Sequence, residues 1–425
     1  MNRALHPVAG SGGLVLEIDG SRLFRTDART YDALAAGDRE AERELLAQLG
    51  TLRPPRPLDG VRARPAALSL NLAQSCNLAC TYCYADEGRF GGASRTMARE
   101  TALAAVREHV RDRGATRVTL GFMGGEPLLA RELMEACVDE ALSTAAPETT
   151  VAFSVTTNAT LVRDEDAAFF GRYGFTVTVS VDGDDDVQNA ARPARRGRPS
   201  SASVRRGVAT LLAAPGRIAL GARATVTRGA MNVTEIVEAI AAMGFTEVGV
   251  SPLRTGPDAS SILRGDDWPA FLAEMRRAAV HERRRLLDGA APRFANLVTA
   301  MREIHSGTAR RLPCGAGDNY VSVGADGGYF TCHRTIDRAE FALGSVASGL
   351  DLGAREAFVA QRDVATQAPC STCWARWLCG GGCHAEVAVA GRDGCDYIRG
   401  WLETAMLCYD ELLDARPDLF ASGER

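Results

Sequence analysis

Short apolar segments alternate with amphipathic segments from about residue 66 to residue 304. The apolar segments have the length of strands, and the segments between them have the apolar spacing of helices. Strands that alternate with helices form a parallel sheet with right-handed crossovers. Six such units predict an α/β fold, a partial (β/α)6 barrel of the TIM type. The predicted strands are Ala67–Leu72, Arg117–Phe122, Thr150–Thr156, Thr176–Val181, Ala219–Thr225 and Glu247–Pro252, with helices such as Ala98–Arg111 and Leu129–Leu142 between them.

The first sixty or so residues predict a short α+β segment that precedes the barrel. Leu14–Asp19 and Arg22–Thr26 have the pattern of two strands joined by a tight turn. Two helical stretches follow, at Ala28–Ala36 and Asp38–Leu49. A proline-rich stretch at residues 53–57 then predicts a stiff linker.

Composition narrows the class of protein. The chain has 425 residues, 46% hydrophobic and 24% charged, which is enough for two or three domains with a substantial core. The net charge of −4 argues against a general nucleic-acid surface. No apolar run has the length of a membrane span, and the first residues lack the apolar core of a signal peptide. We therefore expect a cytoplasmic protein whose twelve cysteines bind metal rather than form disulfides.

Lysine is absent from the sequence, so all 49 basic residues are arginine. A Schiff-base lysine, a pyridoxal-phosphate anchor and a P-loop lysine are therefore excluded.

Three cysteines directly follow the first predicted barrel strand. Cys76, Cys80 and Cys83 have the spacing C-x3-C-x2-C. Three thiolates can hold three irons of a four-iron cluster and leave the fourth iron open to an exchangeable ligand. A structural zinc site normally uses four ligands in paired C-x2-C knuckles, which this spacing does not provide. The carboxyl end of a barrel strand is also where active sites of such barrels lie.

This loop resembles that of the radical SAM superfamily, in which the first strand ends in C-x3-C-x-aromatic-C. Tyr82 supplies the aromatic residue. The resemblance implies that the open iron of a [4Fe–4S] cluster binds S-adenosylmethionine (SAM). It also implies that one electron cleaves SAM to a 5′-deoxyadenosyl radical, which abstracts a hydrogen atom from the substrate. The cofactors carry this chemistry, and the protein supplies binding, orientation and exclusion of water.

A second motif follows the second predicted strand. Gly124, Gly125, Glu126 and Pro127 are similar to the GGEP motif of the family, which holds the amino group of SAM. Glycines allow a ligand to approach the backbone closely, and a glutamate accepts hydrogen bonds from an ammonium group.

The third and fourth strands end in further family-like residues. Thr156 and Asn158 belong to a Thr-Thr-Asn segment that resembles the one facing the ribose of SAM. Ser180 and Asp182 belong to an S-x-D-G motif similar to that of the peptide-modifying branch, in which the serine contacts the SAM carboxylate. Asp182 is expected to cap the turn. Arg192 is interpreted either as a partner of the SAM carboxylate or a substrate acid, or as a surface ion pair.

Seven further cysteines follow the pattern C…G-x4-C…C-x2-C-x5-C-x3-C…C. This pattern resembles the SPASM extension, which binds two auxiliary [4Fe–4S] clusters. Position by position, the resemblance implies an inner cluster held by Cys314, Cys332 and Cys383, and an outer cluster held by Cys370, Cys373, Cys379 and Cys395.

The fourth ligand of the inner cluster is left open by the sequence. Family members with a fully ligated inner cluster carry an extra cysteine where this chain has residues 315–318, which contain none. Either one iron stays open to a substrate thiol or carboxylate, or His384, Asp396 or Cys408 completes the set. Cys408 otherwise reads as a buried free thiol, as does Cys137.

The resemblance implies a maturase that installs an intramolecular cross-link in a ribosomally made precursor peptide, with a thioether favoured. The alternatives are a carbon–carbon or carbon–oxygen link of the cyclophane type, a sulfatase-maturating activity, and peptide epimerisation. In sulfatase-maturating enzymes, the second cysteine of the inner site is followed by an aspartate that acts as a base. In this chain Cys332 is followed by His333. His333 is the candidate base. A non-catalytic iron–sulfur electron carrier, the alternative of another class, needs neither the GGEP motif nor a barrel.

The resulting expectation has three domains. Residues 1–60 are a structural extension or a shortened element that grips a leader peptide by strand addition. Residues 66–305 form the radical SAM core, and residues 306–425 form the SPASM domain. The expected cofactors are SAM and three [4Fe–4S] clusters. The expected partners are the precursor peptide and an external one-electron reductant of the flavodoxin or ferredoxin type, with no nucleic acid and no membrane.

Overall fold

A computed structural model describes residues 3–50, 55, 58 and 60–421. The predicted linker at residues 53–57 lies outside these residues except for Pro55. The strands of the described part are β1 (Leu5–Pro7), β2 (Leu14–Glu17), β3 (Arg22–Arg25), β4 (Ala67–Gln74), β5 (Arg95–Thr96), β6 (Arg117–Gly124), β7 (Thr150–Thr157), β8 (Thr176–Ser180), β9 (Ala219–Val226), β10 (Val248–Pro252), β11 (Tyr320–Val323), β12 (Gly328–Phe330), β13 (Ala342–Ser345) and β14 (Gly349–Leu350).

The α-helices lie between and after these strands. They are α1 (Ala28–Ala36), α2 (Arg39–Leu49), α3 (Arg99–Val110), α4 (Arg131–Thr144), α5 (Asp164–Arg172), α6 (Asp185–Ala191), α7 (Ser201–Leu212), α8 (Val233–Ala241), α9 (Asp267–Leu287), α10 (Ala295–His305), α11 (Leu352–Arg362), α12 (Arg376–Cys379), α13 (His384–Ala390) and α14 (Cys395–Ala415). No helix among the described residues is long and apolar enough to cross a membrane.

The described chain divides into two compact units. One comprises residues 60–263 and 315–359, and the other comprises residues 1–59, 264–314 and 360–425. This division cuts across the boundaries expected from the sequence, because the helices after residue 263 group with the N-terminal and C-terminal segments. The assignment of residues 66–305 and 306–425 to separate functional domains stays a prediction.

The first unit is built on the predicted parallel sheet. Its six parallel strands run in the order β10-β9-β8-β7-β6-β4, with helices in the connections. This confirms the predicted α/β fold with a partial TIM-like barrel sheet. In such a sheet the carboxyl ends of the strands meet at one edge, so the loops after β4, β6, β7 and β8 lie together.

Strand β4 shows how the sequence separates the two faces of this sheet. Leu68, Leu70 and Leu72 are buried on one face. The residues that alternate with them include Ser69 and Asn71, which are also buried but polar. Successive side chains of a strand point to opposite faces, so β4 presents a polar row on its second face. Buried polar side chains need hydrogen-bond partners, and the surroundings of Ser69 and Asn71 are described with the candidate site below.

Four short strands extend the sheet beyond the six predicted ones. β11 pairs in parallel with β4, with Val321 opposite Leu68, and β12, β13 and β14 follow in antiparallel order. The sequence gives little signal for them because they are two to four residues long and three of them, β12, β13 and β14, contain glycine.

The second unit contains the predicted N-terminal segment. β1, β2 and β3 form an antiparallel sheet, in which β1 was not predicted. Asp27 and Asp38 cap α1 and α2 by accepting hydrogen bonds from backbone N–H groups of the first turns. Glu42 of α2 accepts hydrogen bonds from the N–H groups of Ala4 and Leu5, which fixes α2 against the start of β1.

Candidate active site

The three clustered cysteines lie in the loop that leaves β4. The Sγ atom of Cys76 accepts a hydrogen bond from the N–H of Leu78 at 3.4 Å. Burial, with the nearby Glu126 carboxylate as the next cause, raises the pKa of Cys76 to about 12. Cys80 and Cys83 lie close enough to raise it further. A half-buried group of three neighbouring thiols favours metal over free thiolates, because metal binding removes the protons and neutralises the charge.

A distant segment holds the cysteine loop in place through its backbone. The N–H of Ala79 donates to Pro193 O at 2.8 Å, and the N–H of Thr81 donates to Ala191 O at 3.0 Å. The N–H of Arg195 donates in turn to Asn77 O at 3.4 Å. The loop is therefore braced by residues more than a hundred positions away in sequence, which a motif alone does not reveal.

Tyr82, the aromatic residue of the loop, joins a buried polar network. Its hydroxyl donates to Asp182 Oδ2 at 2.5 Å and accepts from Arg192 Nη1 at 2.6 Å. The N–H of Thr225 donates to Asp182 Oδ1 at 2.9 Å. Burial raises the pKa of Asp182, and the Arg192 guanidinium opposes that rise.

The network corrects two expectations. Asp182 does not cap its own turn, because its carboxylate bridges the cysteine loop and β9 instead. Arg192 is not in a surface ion pair, because only 9% of it is exposed. Its Nε atom is buried without a hydrogen-bond partner among the described residues. A buried unsatisfied guanidinium nitrogen costs free energy unless a ligand pairs with it.

The two glycines of the GGEP motif are required by the chain itself. A Cβ atom on Gly124 would lie 2.5 Å from Ala73 O, and one on Gly125 would lie 2.1 Å from Ser75 O. Gly124 also has a φ of +149°, a conformation that favours glycine. The turn after β6 can therefore pack against the loop after β4 only without side chains at these positions. Pro127 opens the 3₁₀ turn that follows.

Glu126 is fully buried and acts as a brace within the protein. Its Oε1 atom accepts hydrogen bonds from Leu128 N at 3.1 Å and Thr157 Oγ1 at 2.8 Å. Its Oε2 atom accepts one from Asn158 N at 2.8 Å. Burial raises the pKa of Glu126, and these hydrogen bonds oppose the rise. Glu126 thus ties the loop after β6 to the end of β7, and its contact with an ammonium group stays a prediction.

Asn158 also contacts the cysteine loop. Its Nδ2 atom donates to Asn77 Oδ1 at 3.0 Å and lies 3.7 Å from Cys76 Sγ. Thr156 is half-buried near the end of β7, and Ser180 is half-buried at the end of β8. The structure therefore brings the predicted SAM-binding residues to one edge of the sheet, while their individual contacts with SAM stay predictions.

Asn71 is a candidate site residue that the sequence did not signal. It is 1% exposed, and neither atom of its amide has a hydrogen-bond partner among the described residues. Its Oδ1 atom lies against Gly124 of the GGEP motif. An orphaned amide at this place fits a polar ligand, and the amino-acid part of SAM has the carboxylate and ammonium groups that an amide can bind.

The candidate base His333 lies in the same unit as the cysteine loop. Its Nδ1 atom is 3.0 Å from the hydroxyl of Tyr320, which lies 2.9 Å from Ser69 Oγ on β4. The His333 ring also meets the ring of Tyr84 edge to face, with centroids 6.3 Å apart. Tyr84 directly follows Cys83, so His333 is within one side chain of the cysteine loop. Cys332, which precedes it, is buried.

Four cysteines of the other unit lie together. Cys373, Cys379 and Cys395 all act electrostatically on Cys370, whose pKa burial raises. These are the four residues predicted to hold the outer cluster. None of the twelve cysteines, all of which lie in the described part of the chain, forms a disulfide. Cysteine thiolates are the usual ligands of a [4Fe–4S] cluster, and the assignment of these four to the outer cluster stays a prediction.

The remaining candidate ligands separate by position. Cys314 and Cys383 lie near Arg362 in this same unit, together with Cys370. Burial raises the pKa of Cys408 to about 11, and its charged neighbours are Arg283 and Glu411 rather than cysteines. Cys408 is therefore a buried thiol.

Three other residues that the sequence analysis named are Cys137, Asp396 and His384. Cys137 is a buried thiol of α4. The Asp396 side chain is 94% exposed and pairs with Arg399, whereas His384 is buried. The fourth ligand of the inner cluster stays open.

A known protein family matches the segment of the chain that contains this site. Residues 70–217 match the radical SAM superfamily. The matched segment contains the cysteine loop, the GGEP motif and the buried network around Tyr82. The chain therefore carries a radical SAM domain and is a radical SAM enzyme.

More particular likenesses extend over most of the chain. The serine-type anaerobic sulfatase-maturating enzyme of Klebsiella aerogenes is 26% identical over 336 residues, which cover 76% of this chain and 80% of that protein. An uncharacterised protein of Archaeoglobus fulgidus is 25% identical over 391 residues, or 88% of this chain and 87% of that protein.

Two solved structures share the fold. The structure of native anSMEcpe with bound AdoMet has a TM-score of 0.71 at 18% identity and covers 82% of this chain and 99% of that one. Streptococcus suis SuiB bound to the precursor peptide SuiA has a TM-score of 0.53 at 13% identity, with 88% and 93% covered.

Proposed function

We propose that this protein is a radical SAM maturase that oxidises a side chain of a peptide or protein substrate. The likeness to a sulfatase-maturating enzyme over 80% of that enzyme's length carries the proposal, because it extends well beyond the radical SAM domain. The cysteine pattern after residue 314 supports it, since a second set of cysteines is what a maturase with auxiliary clusters needs. SAM, when bound at the [4Fe–4S] cluster, supplies a 5′-deoxyadenosyl radical that removes a hydrogen atom from the substrate.

The residues of the barrel edge have separate roles in this proposal. Cys76, Cys80 and Cys83 hold the SAM-binding cluster, and the hydroxyl of Tyr82 fixes their loop against Asp182. The Nε atom of Arg192 and the amide of Asn71 are buried and have no hydrogen-bond partner among the described residues, and these groups bind the carboxylate and ammonium of SAM. Ser180, Thr156 and Asn158 complete the SAM site. Glu126 and the glycines before it keep the loops at the correct separation.

The outer auxiliary cluster is assigned to Cys370, Cys373, Cys379 and Cys395. Their mutual proximity within one unit supports this set. The inner cluster is assigned to Cys314, Cys332 and Cys383 by the sequence pattern alone.

His333 is proposed to remove a proton from the substrate. Oxidation of the substrate by two hydrogen atoms would need one to leave as a hydrogen atom to the 5′-deoxyadenosyl radical and the other to leave as a proton, while the remaining electron would pass to an auxiliary cluster. A histidine suits the proton because its ordinary pKa is close to neutral. Its hydrogen bond to Tyr320 orients the ring.

The favoured product is a thioether, formed when a substrate cysteine sulfur joins the carbon that lost hydrogen. The presence of His333 where sulfatase-maturating enzymes have an aspartate supports this choice. The second candidate is oxidation of a serine to an aldehyde. Two similar proteins, from Klebsiella aerogenes and Klebsiella pneumoniae, are named serine-type anaerobic sulfatase-maturating enzymes. Both reactions lower the mass of the substrate by two hydrogen atoms.

Mass spectrometry distinguishes these products. The reconstituted enzyme, SAM and a reductant are incubated without oxygen with two peptides, one encoded beside this gene and one derived from a sulfatase. A loss of two hydrogens with one thiol no longer alkylated identifies a thioether. The same loss with a new hydrazide-reactive group identifies an aldehyde. No mass change in either peptide, while 5′-deoxyadenosine is released, would contradict peptide oxidation; the Cys76→Ala variant is the blank.

The N-terminal segment is proposed to receive the leader of a precursor peptide by strand addition. The N–H groups of Ala4 and Leu5 at the start of β1 are already bonded to Glu42, so β3 is the proposed edge for an added strand. The exposed Arg22 of β3 favours an acidic side chain on that strand, whereas Arg25 already pairs with Asp410 and Asp414. Loss of leader binding in a chain that lacks residues 1–50, with the radical SAM domain still able to cleave SAM, tests this assignment.

A further inference from the structure

One part of the radical SAM domain is strongly basic. Between Val187 and Thr234 the sequence contains nine arginines and no acidic residue, although the chain as a whole carries a net charge of −4. Three of these arginines, Arg195, Arg196 and Arg198, are exposed in the loop between α6 and α7. Such a local excess of one sign sets up a field that attracts molecules of the opposite charge.

This basic loop lies directly against the cysteine loop. The N–H of Arg195 donates to Asn77 O, and the N–H of Ala79 donates to Pro193 O at 2.8 Å. An isolated antiparallel bridge also joins Leu78 to Ala194. The exposed arginines are therefore attached, through the backbone, to the residues between Cys76 and Cys80.

A concave surface lies on the other side of Asn77. Asn77 Nδ2 donates to Thr160 Oγ1 at 2.7 Å, and Thr160 lines a cavity of about 400 Å³. Arg163 and Arg206 line that cavity too, and Leu129, 46% exposed, supplies its apolar part. Asn77 thus lies between two groups of arginines, one on each side of the cysteine loop.

The charge of this surface is only partly neutralised. Arg195 is 3.8 Å from Glu87, and Arg205 pairs with Asp185. Neither Arg196 nor Arg198 is within ion-pair distance of a carboxylate in the described part of the chain. Their charge is available to a partner.

We propose that Arg163, Arg195, Arg196, Arg198 and Arg206, together called the basic surface, dock an acidic one-electron carrier protein. This inference rests on the proposed function, because a radical SAM enzyme must be supplied with electrons. One electron passes per encounter from the carrier, which is oxidised, to the cluster, which is reduced, and no bond or proton moves. The basic surface, which is attached to the cysteine loop, steers an acidic carrier to the part of the enzyme nearest the cluster. There the electron has the shortest distance to travel.

The test measures binding of the carrier rather than turnover. An oxidised, acidic flavodoxin and an oxidised, acidic ferredoxin are each titrated into the reconstituted enzyme at low salt. The variant Arg196→Glu with Arg198→Glu is expected to weaken the affinity at least tenfold, as two charges are reversed. The matched control is Arg117→Glu with Arg217→Glu, because these arginines are exposed and lie at the amino ends of strands, Arg117 as the first residue of β6 and Arg217 just before β9, at the opposite edge of the same sheet. The control is expected to bind within twofold of the wild type.

A second readout separates this inference from the proposed function. With a small-molecule reductant, SAM cleavage is expected to be equal in the wild type and both variants. Failure of the wild type to cleave SAM under that reductant counts against the proposed function and not against docking. The docking proposal is overturned if the wild type binds neither carrier, if both double variants weaken binding equally, or if Arg196→Glu with Arg198→Glu impairs only binding of the substrate peptide.

Discussion

The hydroxyl of Tyr82 has a role that the family-like pattern does not contain. The pattern asks for an aromatic ring, and a phenylalanine would satisfy it. In this protein the hydroxyl bridges Asp182 and Arg192, two residues that the sequence placed in separate motifs. Because all three side chains are buried, the bridge fixes the cysteine loop against the ends of β8 and β9.

Replacing Tyr82 by phenylalanine tests this bridge. The change removes one charge-assisted hydrogen bond on each side of the hydroxyl, and we expect the free energy of unfolding to fall by about 1–3 kcal/mol. We also expect kcat/KM for SAM to fall about tenfold, since a lost bond of that kind is worth about 1.4 kcal/mol. Denaturant unfolding and SAM-cleavage kinetics give the two values.

Tyr329→Phe is the matched control, because Tyr329 is also buried and donates to a carboxylate, Glu108. It should lose similar stability and keep its kinetics. Equal kinetics for Tyr82→Phe and the wild type would show that the bridge does not position the loop.

Asn71 gives a prediction in which stability and binding change in opposite directions. Leucine has nearly the shape of asparagine without the two unsatisfied polar atoms. Asn71→Leu should therefore raise the unfolding free energy of the ligand-free protein by about 1–3 kcal/mol and weaken SAM binding. Thermal unfolding and equilibrium binding of SAM measure the two effects. An unchanged affinity for SAM would remove Asn71 from the site.

At the scale of elements, the turn after β6 controls how closely two loops pack. The chain passes so near Ser75 that Gly125 leaves no room for a Cβ atom. The same turn supplies Glu126, whose carboxylate ties it to β7. The loops of three strands are thus held together by backbone approach and by one buried carboxylate.

The substitution Gly125→Ala should separate these loops. The added Cβ would lie 2.1 Å from a backbone oxygen, so the backbone must move. We expect a loss of about 1–3 kcal/mol of stability and poor iron loading of the cysteine loop. Iron analysis after anaerobic reconstitution measures the second effect. Gly229→Ala, where a Cβ meets no atom within 4 Å, is the control, and equal iron content in both variants would refute the packing argument.

The sequence predicted some elements well and others not at all. All six barrel strands were found because each is a segment of five to eight residues rich in apolar and β-branched side chains. β11 was missed because it is short and its partner β4 lies some 250 residues earlier. The cysteines were recognisable because their spacing is itself the signal. Asn71 was not, because an unpartnered amide becomes evident only when its surroundings are known.

At the scale of the whole molecule, cysteines fall into groups that differ in surroundings. Cys76, Cys80 and Cys83 of the cysteine loop belong to the unit with the parallel sheet. The four cysteines of the predicted outer cluster belong to the other unit. Cys137 and Cys408 lie apart as buried thiols. This distribution is compatible with the proposed binding of several iron–sulfur clusters, each held by its own group of cysteines.

Iron content checks this grouping. If three four-iron clusters are present, the reconstituted protein should hold about twelve irons per chain. Removing an outer-cluster ligand together with its neighbour, as in Cys370→Ala with Cys373→Ala, should lower that number by about four and leave SAM cleavage intact. Cys137→Ala should leave it unchanged. A double variant with full iron content would place the outer cluster elsewhere.

The central claim is that the SAM-derived radical removes hydrogen from a peptide. Transfer of deuterium tests it most directly. A peptide that the enzyme converts, with deuterium on its side-chain carbons, is incubated with enzyme, SAM and reductant, and the 5′-deoxyadenosine is analysed by mass spectrometry. We expect one deuterium in the 5′-deoxyadenosine released by the wild type and none with the Cys76→Ala variant. Unlabelled 5′-deoxyadenosine from a fully deuterated, converted peptide would contradict it.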